Sequence, residues 1–202
     1  MPRIAEVRAP ARPNSAQQRL RVDRILHAAA RHGAMHGLDH VQMHEVAKEA
    51  GVAIATLYRY FPSKMHLFTG VLRSKVLVLD ETFDDEHVVL DPVHEVEQLL
   101  LRLTREMLAA PLLAHAMMIS NNAALHDTSE EAVEAHVAFS RLVLRTAGIT
   151  EPTERDQQLG SLIERAWFGE LTAALNQHLG QDVIEDDIRV LCALLLREWA
   201  RD

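Results

Sequence analysis

Residues 41 to 64 constrain this chain more than any others, because their spacing is that of two short helices crossing at a tight turn. The first helix of such a pair needs a small side chain where the second crosses it. The turn needs a residue that tolerates positive φ, and the second helix needs an inward aliphatic anchor. Ala47, Gly51 and Leu57 stand at those intervals. Ile54, Leu57 and Phe61 keep the spacing of a buried stripe, which turns Ala55, Thr56 and Arg59 outward. A helix presented in this way lies in the major groove of duplex DNA, so the motif reads as a DNA-binding element.

Within it, the run Thr56-Leu-Tyr-Arg-Tyr-Phe-Pro-Ser-Lys64 resembles the tetracycline-repressor (TetR) family rather than helix-turn-helix proteins at large. The resemblance implies that Tyr58, Tyr60 and Lys64 hold phosphates, that Thr56 and Arg59 lie near phosphates or base edges, and that an all-α effector domain follows. It also implies a homodimer on a double-stranded DNA operator. Gln42, His44, Ala53 and Ala55 complete the expected DNA-facing set. Two of these depart from the family pattern. Ala53 stands where Ser or Thr is common and cannot cap the reading helix through a hydroxyl. His44 stands where many members carry Arg, so it is either a phosphate contact that follows the histidine's charge or a plain solvated residue. A narrower resemblance, to a branch of the family that represses cholesterol breakdown, rests on Val41-Gln-Met43, on His66-Leu67 after the run above, and on Pro111-Leu-Leu113 with Ala116-Met117. It implies steroid acids carried as coenzyme A thioesters as effectors.

The net charge of −8 would ordinarily argue against nucleic acid, but it is unevenly spread. Residues 1–75 hold 12 Lys and Arg against 5 Asp and Glu, and the remainder 9 against 24. A basic head on an acidic body suits a DNA binder whose second domain is kept off the duplex. At 202 residues and 48% hydrophobic, the chain can bury one good core or a small domain fused to a larger one. The single cysteine, Cys192, excludes an internal disulfide and a Cys-based zinc site, and its apolar neighbours point to a buried hydrophobe. No apolar stretch approaches the ~20 residues a membrane span needs, and the first residues lack a signal-peptide core. A cytoplasmic protein with no membrane partner is expected.

Residues 1–14, with Arg3, Arg8 and Arg12 among prolines, read as a disordered basic arm. Ser15-Ala-Gln-Gln18 has capping-box form and opens a first helix, which Gly33 and Gly37 are expected to end near His32. Its Arg19, Arg21 and Arg24 are available to the DNA backbone. The motif then completes a helix-turn-helix DNA-binding domain over residues 15–62. A fourth helix from Ser63 to about Phe83 joins it to a ligand-binding and dimerisation domain over residues 63–202. Asp84-Asp-Glu86 with Pro92, Pro111, Asp127-Thr-Ser129, Gly148 with Pro152, and Gly180 punctuate helices at about 93–109, 112–125, 129–147, 153–179 and 183–200. The expected fold is all-α with about nine helices, a three-helix DNA-binding domain followed by a helical effector-binding and dimerisation domain.

The helix near residues 112–125 sets adaptable Met117 and Met118 beside polar Ser120, Asn121 and Asn122. With Leu103, Met107, Phe139, Leu142, Trp167, Phe168 and Leu171 they are expected to line an apolar pocket for a small hydrophobic effector, although each alone reads as core. The phosphates of a thioester ligand would need an Arg at the pocket mouth, such as Arg102, Arg105 or Arg141. A multidrug or fatty-acyl ligand is the alternative. The last two helices carry apolar residues on too many sides for a monomer, from Leu159 and Ile163 through Val183, Ile188 and Leu194 to Trp199. They are expected to form a homodimer interface.

Twelve histidines raise a metal-sensing regulator as a further alternative. His32, His36, His40 and His44 recur every four residues, but Gly33, Gly37 and Asp39 are expected to break any helix through them, so they should not share a face. No metal site and no cofactor is expected. The chain has no nucleophile elbow, no Walker loop and no carboxylate pair distinguishable from solvated acids, which argues against an enzyme. Its acidic second domain argues against a purely structural DNA binder.

Overall fold

The computed structural model of the chain describes residues 11–84, 88–126, 130–177 and 179–200. Among these residues there are nine α-helices, one 3-10 turn and no strand, which is the expected all-α fold. The head comprises α1 (Ala16–His40), α2 (Met43–Glu49) and α3 (Ile54–Tyr60), and α4 (Lys64–Glu81) leads out of it. The body comprises α5 (Pro92–Ala109), α6 (Pro111–His126), α7 (Glu130–Thr146), α8 (Glu154–Gln177) and α9 (Gln181–Leu195). One buried cluster runs without a break from Ile25 and Leu57 in the head to Leu171 and Ile188 in the body. The breaks expected at residues 85–86 and at Asp127-Thr-Ser129 lie outside the described residues, as do Arg3 and Arg8 of the arm.

Side-chain caps start α1, α4 and α5. Ser15 Oγ accepts from the Gln18 amide at 3.3 Å, and Gln18 Oε1 reaches back to the Asn14 N–H at 2.9 Å. Ser63 caps α4 through the His66 amide. Asp91 caps α5 by accepting from Val93 and His94, with Pro92 in the first turn, where its missing N–H costs nothing. Cys192 is fully buried, and that burial first, then the nearby charge of Glu97, pushes its thiol up to about 12.

Three expectations are corrected. The first helix does not end near His32; it runs through Gly33 to His40 and breaks only at Gly37, where φ is +69° and ψ 168°. Gly33 is a packing glycine, buried where α1 meets α4 and α6, and a Cβ there would stand 2.5 Å from Phe68 Cε1 and 3.0 Å from Leu113 Cδ1. Ile54, expected in the buried stripe, opens the short α3 and is 40% exposed, while Leu57 and Phe61 are buried. The last helix stops at Leu195 rather than near residue 200, and a 3-10 turn, Arg197–Trp199, then brings Trp199 inward so that its Nε1 donates to Asp156 Oδ1 at 2.8 Å.

Gly33→Ala tests the crossing. Overpacking of roughly 1–3 kcal/mol, less up to about 1 kcal/mol of helix propensity gained, predicts a net loss of about 1–2 kcal/mol. Urea unfolding measures it, and a stabilised variant would show that Gly33 is not a packing constraint.

Candidate nucleic-acid interface and the cavity behind it

The turn between α2 and α3 is made by Gly51 at φ +64°, with the Arg24 guanidinium 3.6 Å from where its Cβ would be. Ala47 and Leu57 are buried at the crossing. Gln42, His44, Ala53, Ala55, Tyr58 and Arg59 are exposed, and Thr56 is half-buried. Ala53 begins α3 with no side-chain cap, leaving the first amides of the helix to water or to an anion. His44 lies against Glu45, 3.1 Å away.

The tyrosines and the lysine of the nine-residue run divide. Tyr58 is 47% exposed, whereas Tyr60 is 4% exposed. The Tyr60 hydroxyl accepts from Arg59 Nη2 at 2.8 Å, and the guanidinium lies over its ring, 4.8 Å from the centroid. Tyr60 therefore presets the direction of Arg59. Lys64 Nζ donates to the carbonyls of Leu38 at 3.1 Å and Asp39 at 3.0 Å, so it joins the start of α4 to the last turn of α1. Arg31 and His32 both bond to Glu49, fastening α1 to α2. The end of the arm is not loose: the Ala11 amide donates to the Arg59 carbonyl at 2.9 Å, and Glu134 of α7 takes Arg12 at 3.5 Å and Arg73 of α4 at 2.5 Å.

Because α1 continues past Gly33, His32 and His36 do share a face, with ring centroids 5.8 Å apart, contrary to expectation. Among the described residues no group of three His, Cys, Asp or Glu side chains is placed to hold a metal ion.

Behind the head lies a cavity of about 350 Å³. It is walled by α4 to α8 and also by His27 of α1. Leu103, Met107, Met117, Asn121, Phe139, Trp167 and Phe168 line it as expected. Met118, Asn122, Leu142 and Leu171 do not: Met118, Leu142 and Leu171 are core, and Asn122 faces solvent. Met118 and Asn122 each sit one residue beyond a lining side chain and are thus turned about 100° away. Trp167 is stacked on Phe139 at 5.1 Å between centroids and donates from Nε1 to Thr104 Oγ1 at 2.9 Å. None of Arg102, Arg105 and Arg141 lines the cavity; Arg105 is paired with Glu185 and Arg141 with Asp80. The exposed cations at its rim are Lys75 and, when protonated, His27.

Sequence reasoning missed His136 and Glu164, which also line the cavity. Each stands three residues before a lining aromatic, Phe139 and Trp167, and that interval places them on the same helix face. Glu164 Oε2 lies 2.5 Å from His136 Nδ1 but not in hydrogen-bonding alignment. Burial, only partly offset by Arg165, pushes the Glu164 carboxyl up to about 8. Burial and then the charge of Arg165 hold His136 below the usual histidine range. Burial thus disfavours charge on both members of the pair.

An acid whose folded pKa is raised destabilises the fold increasingly as pH climbs from its unfolded value near 4.5 to about 8. Glu164→Gln is therefore expected to stabilise the protein by roughly 1–3 kcal/mol at pH 7 and by little at pH 4. Thermal or urea unfolding at both pH values checks this; an equal effect at both would mean that ionisation plays no part.

On the outer side of the body, α9 leaves Val183, Val190 and Leu194 exposed, Leu194 by 66%, while Ile184 and Ile188 are buried in the core. No helix among the described residues is long and apolar enough to cross a membrane.

Comparison with known proteins matches residues 25–71 to the bacterial regulatory proteins of the tetR family and residues 91–195 to the tetracyclin repressor-like C-terminal domain. The HTH-type transcriptional repressor KstR of Rhodococcus jostii is 31% identical over 188 residues, 93% of this chain and 88% of that one. The crystal structure of a TetR transcriptional regulator from Rhodococcus sp. RHA1 superposes with a TM-score of 0.81 at 39% identity, covering 90% of this chain and 99% of the other. Thermus thermophilus FadR, a TetR-family repressor solved with lauroyl-CoA, shares the fold at a TM-score of 0.57 and 19% identity, over 87% and 93% of the two chains.

Proposed function

Because this chain belongs to the TetR family of bacterial regulatory proteins, we propose that it is a homodimeric repressor released from a palindromic operator by a large hydrophobic effector. Residues 15–62 form the reading domain and residues 63–202 bind the effector and dimerise, through α8 and α9. The exposed apolar side chains of α9 support that interface. Tyr58, Arg59, Thr56, Ala55, Ala53, Gln42 and His44 face the DNA directly. Lys64 and Tyr60, each bonded inside the head, act chiefly by fixing its shape.

The observation that carries this reading is the position of the cavity. Its walls include α1 and α4, the two helices that Lys64 fastens together, so a ligand that favours one separation of those walls changes the placement of the head. The shift it can cause is limited to its difference in affinity between the two states. The effector we favour is a steroid acyl-coenzyme A thioester. Its rings would fill the apolar cavity, and its phosphates would lie outside, beside Lys75 and His27. The resemblance to the steroid-responsive branch supports this choice, and the FadR complex with lauroyl-CoA supports a thioester in general. A fatty-acyl thioester is the second reading.

The test is a footprint on the DNA beside the protein's own gene, followed by anisotropy of the labelled site during titration with a steroid-acyl thioester, the free steroid acid and a fatty-acyl thioester. The expected footprint has two symmetric half-sites, and affinity should fall steeply with salt. Failure of all three ligands at micromolar concentration, with release by a small polar metabolite, would overturn the effector assignment. An asymmetric footprint or a monomer in light scattering would overturn the dimer.

A further inference from the structure

Three buried side-chain polar atoms have no hydrogen-bond partner among the described residues: Thr69 Oγ1, Asn121 Oδ1 and Glu164 Oε2. Asn121 and Glu164 both line the cavity, from α6 and α8, and His136 of α7 stands beside Glu164. Asn121 is 93% buried by its 7% exposure, and the Glu164 side chain is 12% exposed, so bulk water is a poor partner for either. Buried polar atoms are nearly always paired in folded proteins, and an orphan on a cavity wall marks where a ligand's polar atom goes.

We propose that Asn121 and the His136–Glu164 pair form a subsite for a neutral alcohol hydroxyl on the apolar, cavity-bound part of the effector. This rests on the reading of the cavity as the effector site and names the group that the site selects. A hydroxyl both donates and accepts, so it can satisfy the Asn121 carbonyl oxygen or exchange hydrogen bonds with the acid and imidazole. A ketone only accepts and leaves Asn121 Oδ1 orphaned. A carboxylate would bring an anion to a wall where burial already disfavours the ionised form of Glu164. Its charge belongs at the rim, where Lys75 is exposed.

The experiment uses the full chain and four probes that share an androstane skeleton and differ at one ring position: hydrocarbon, alcohol, ketone and carboxylate. Binding is read from tryptophan fluorescence, since Trp167 lines the cavity. Release of a labelled operator is read separately by anisotropy. The alcohol is expected to bind roughly tenfold tighter than the hydrocarbon and tighter than the other two. Asn121→Leu and Glu164→Leu should each cut that advantage, taken as the ratio of alcohol to hydrocarbon affinity on the same variant, to under about threefold, and Glu164→Gln should preserve it. Equal binding of alcohol and hydrocarbon, preference for the ketone or carboxylate, no binding by any probe, or a preference that survives both leucine variants would overturn the subsite. An alcohol that binds selectively yet leaves the operator occupied would instead sink the effector-release reading and leave the subsite standing. Release by probes bound without regard to the hydroxyl would do the reverse.

Discussion

Arg59→Ala is expected to weaken operator binding by about 1–3 kcal/mol at each half-site, hence by roughly 2–6 kcal/mol for a dimer engaged on both. Arg59 is exposed on the reading helix, and its guanidinium is already oriented by the Tyr60 ring and hydroxyl, so little of its binding energy goes into ordering the side chain. Tyr60→Phe, which removes only that hydroxyl, should lose about 0.5–1.5 kcal/mol per half-site by letting Arg59 wander. Anisotropy on the footprinted site and on a scrambled duplex separates the roles. A loss confined to the true site makes Arg59 a base reader, and an equal loss on both makes it a phosphate contact. Unchanged affinity for both duplexes would contradict the assignment of α3.

Asp80→Ala is expected to cost about 2–4 kcal/mol of stability. Asp80, near the end of α4, is 4% exposed and takes Arg141 and Arg145 of α7 together, Arg145 at 2.9 Å. Burial alone would raise its pKa, but the hydrogen bonds from Arg141 and Arg145, with their charges, outweigh it and hold the carboxyl below the usual aspartate range. A depressed pKa contributes stability that is fully present above the unfolded value and is lost as pH falls through the folded one. The gap between the parent protein and Asp80→Ala should therefore be full at pH 7 and begin to close below about pH 4. Urea titrations across that range measure it, and a gap independent of pH would mean that the side chain's shape rather than its charge holds α4 to α7.

The sequence made the head legible because its signals are local. Ala47, Gly51 and Leu57 are fixed by spacing within a dozen residues, and Pro92, Pro111 and Gly180 mark boundaries that any helix must respect. Gly33 shows the limit of that logic. Its intrinsic preference is to end a helix, but Phe68 and Leu113 press so closely on α1 that only a residue without a side chain fits, and tertiary packing overrides propensity. The cavity was half legible. Met117, Asn121, Phe139 and Trp167 could be picked out as adaptable, polar or aromatic residues on apolar faces. His136 and Glu164 read as ordinary surface charges, since only the meeting of α7 with α8 turns them toward the cavity and removes their water.

The clasp of Lys64 on the carbonyls of Leu38 and Asp39 ties the start of α4 to the end of α1, so a tilt of α4 would carry the head as a lever carries its load. Its 18 residues span about 27 Å at 1.5 Å per residue. With one end fixed by Asp80 and the middle pressed by whatever fills the cavity, a tilt of about 5° would carry the clasped end, and the head with it, by roughly 2 Å over that length. Two heads related by a dyad would then change their spacing by roughly 4 Å, more than the rise of about 3.4 Å between neighbouring base pairs. On the proposed dimeric reading, a tilt of that size would put one reading helix a full base pair out of step with the other.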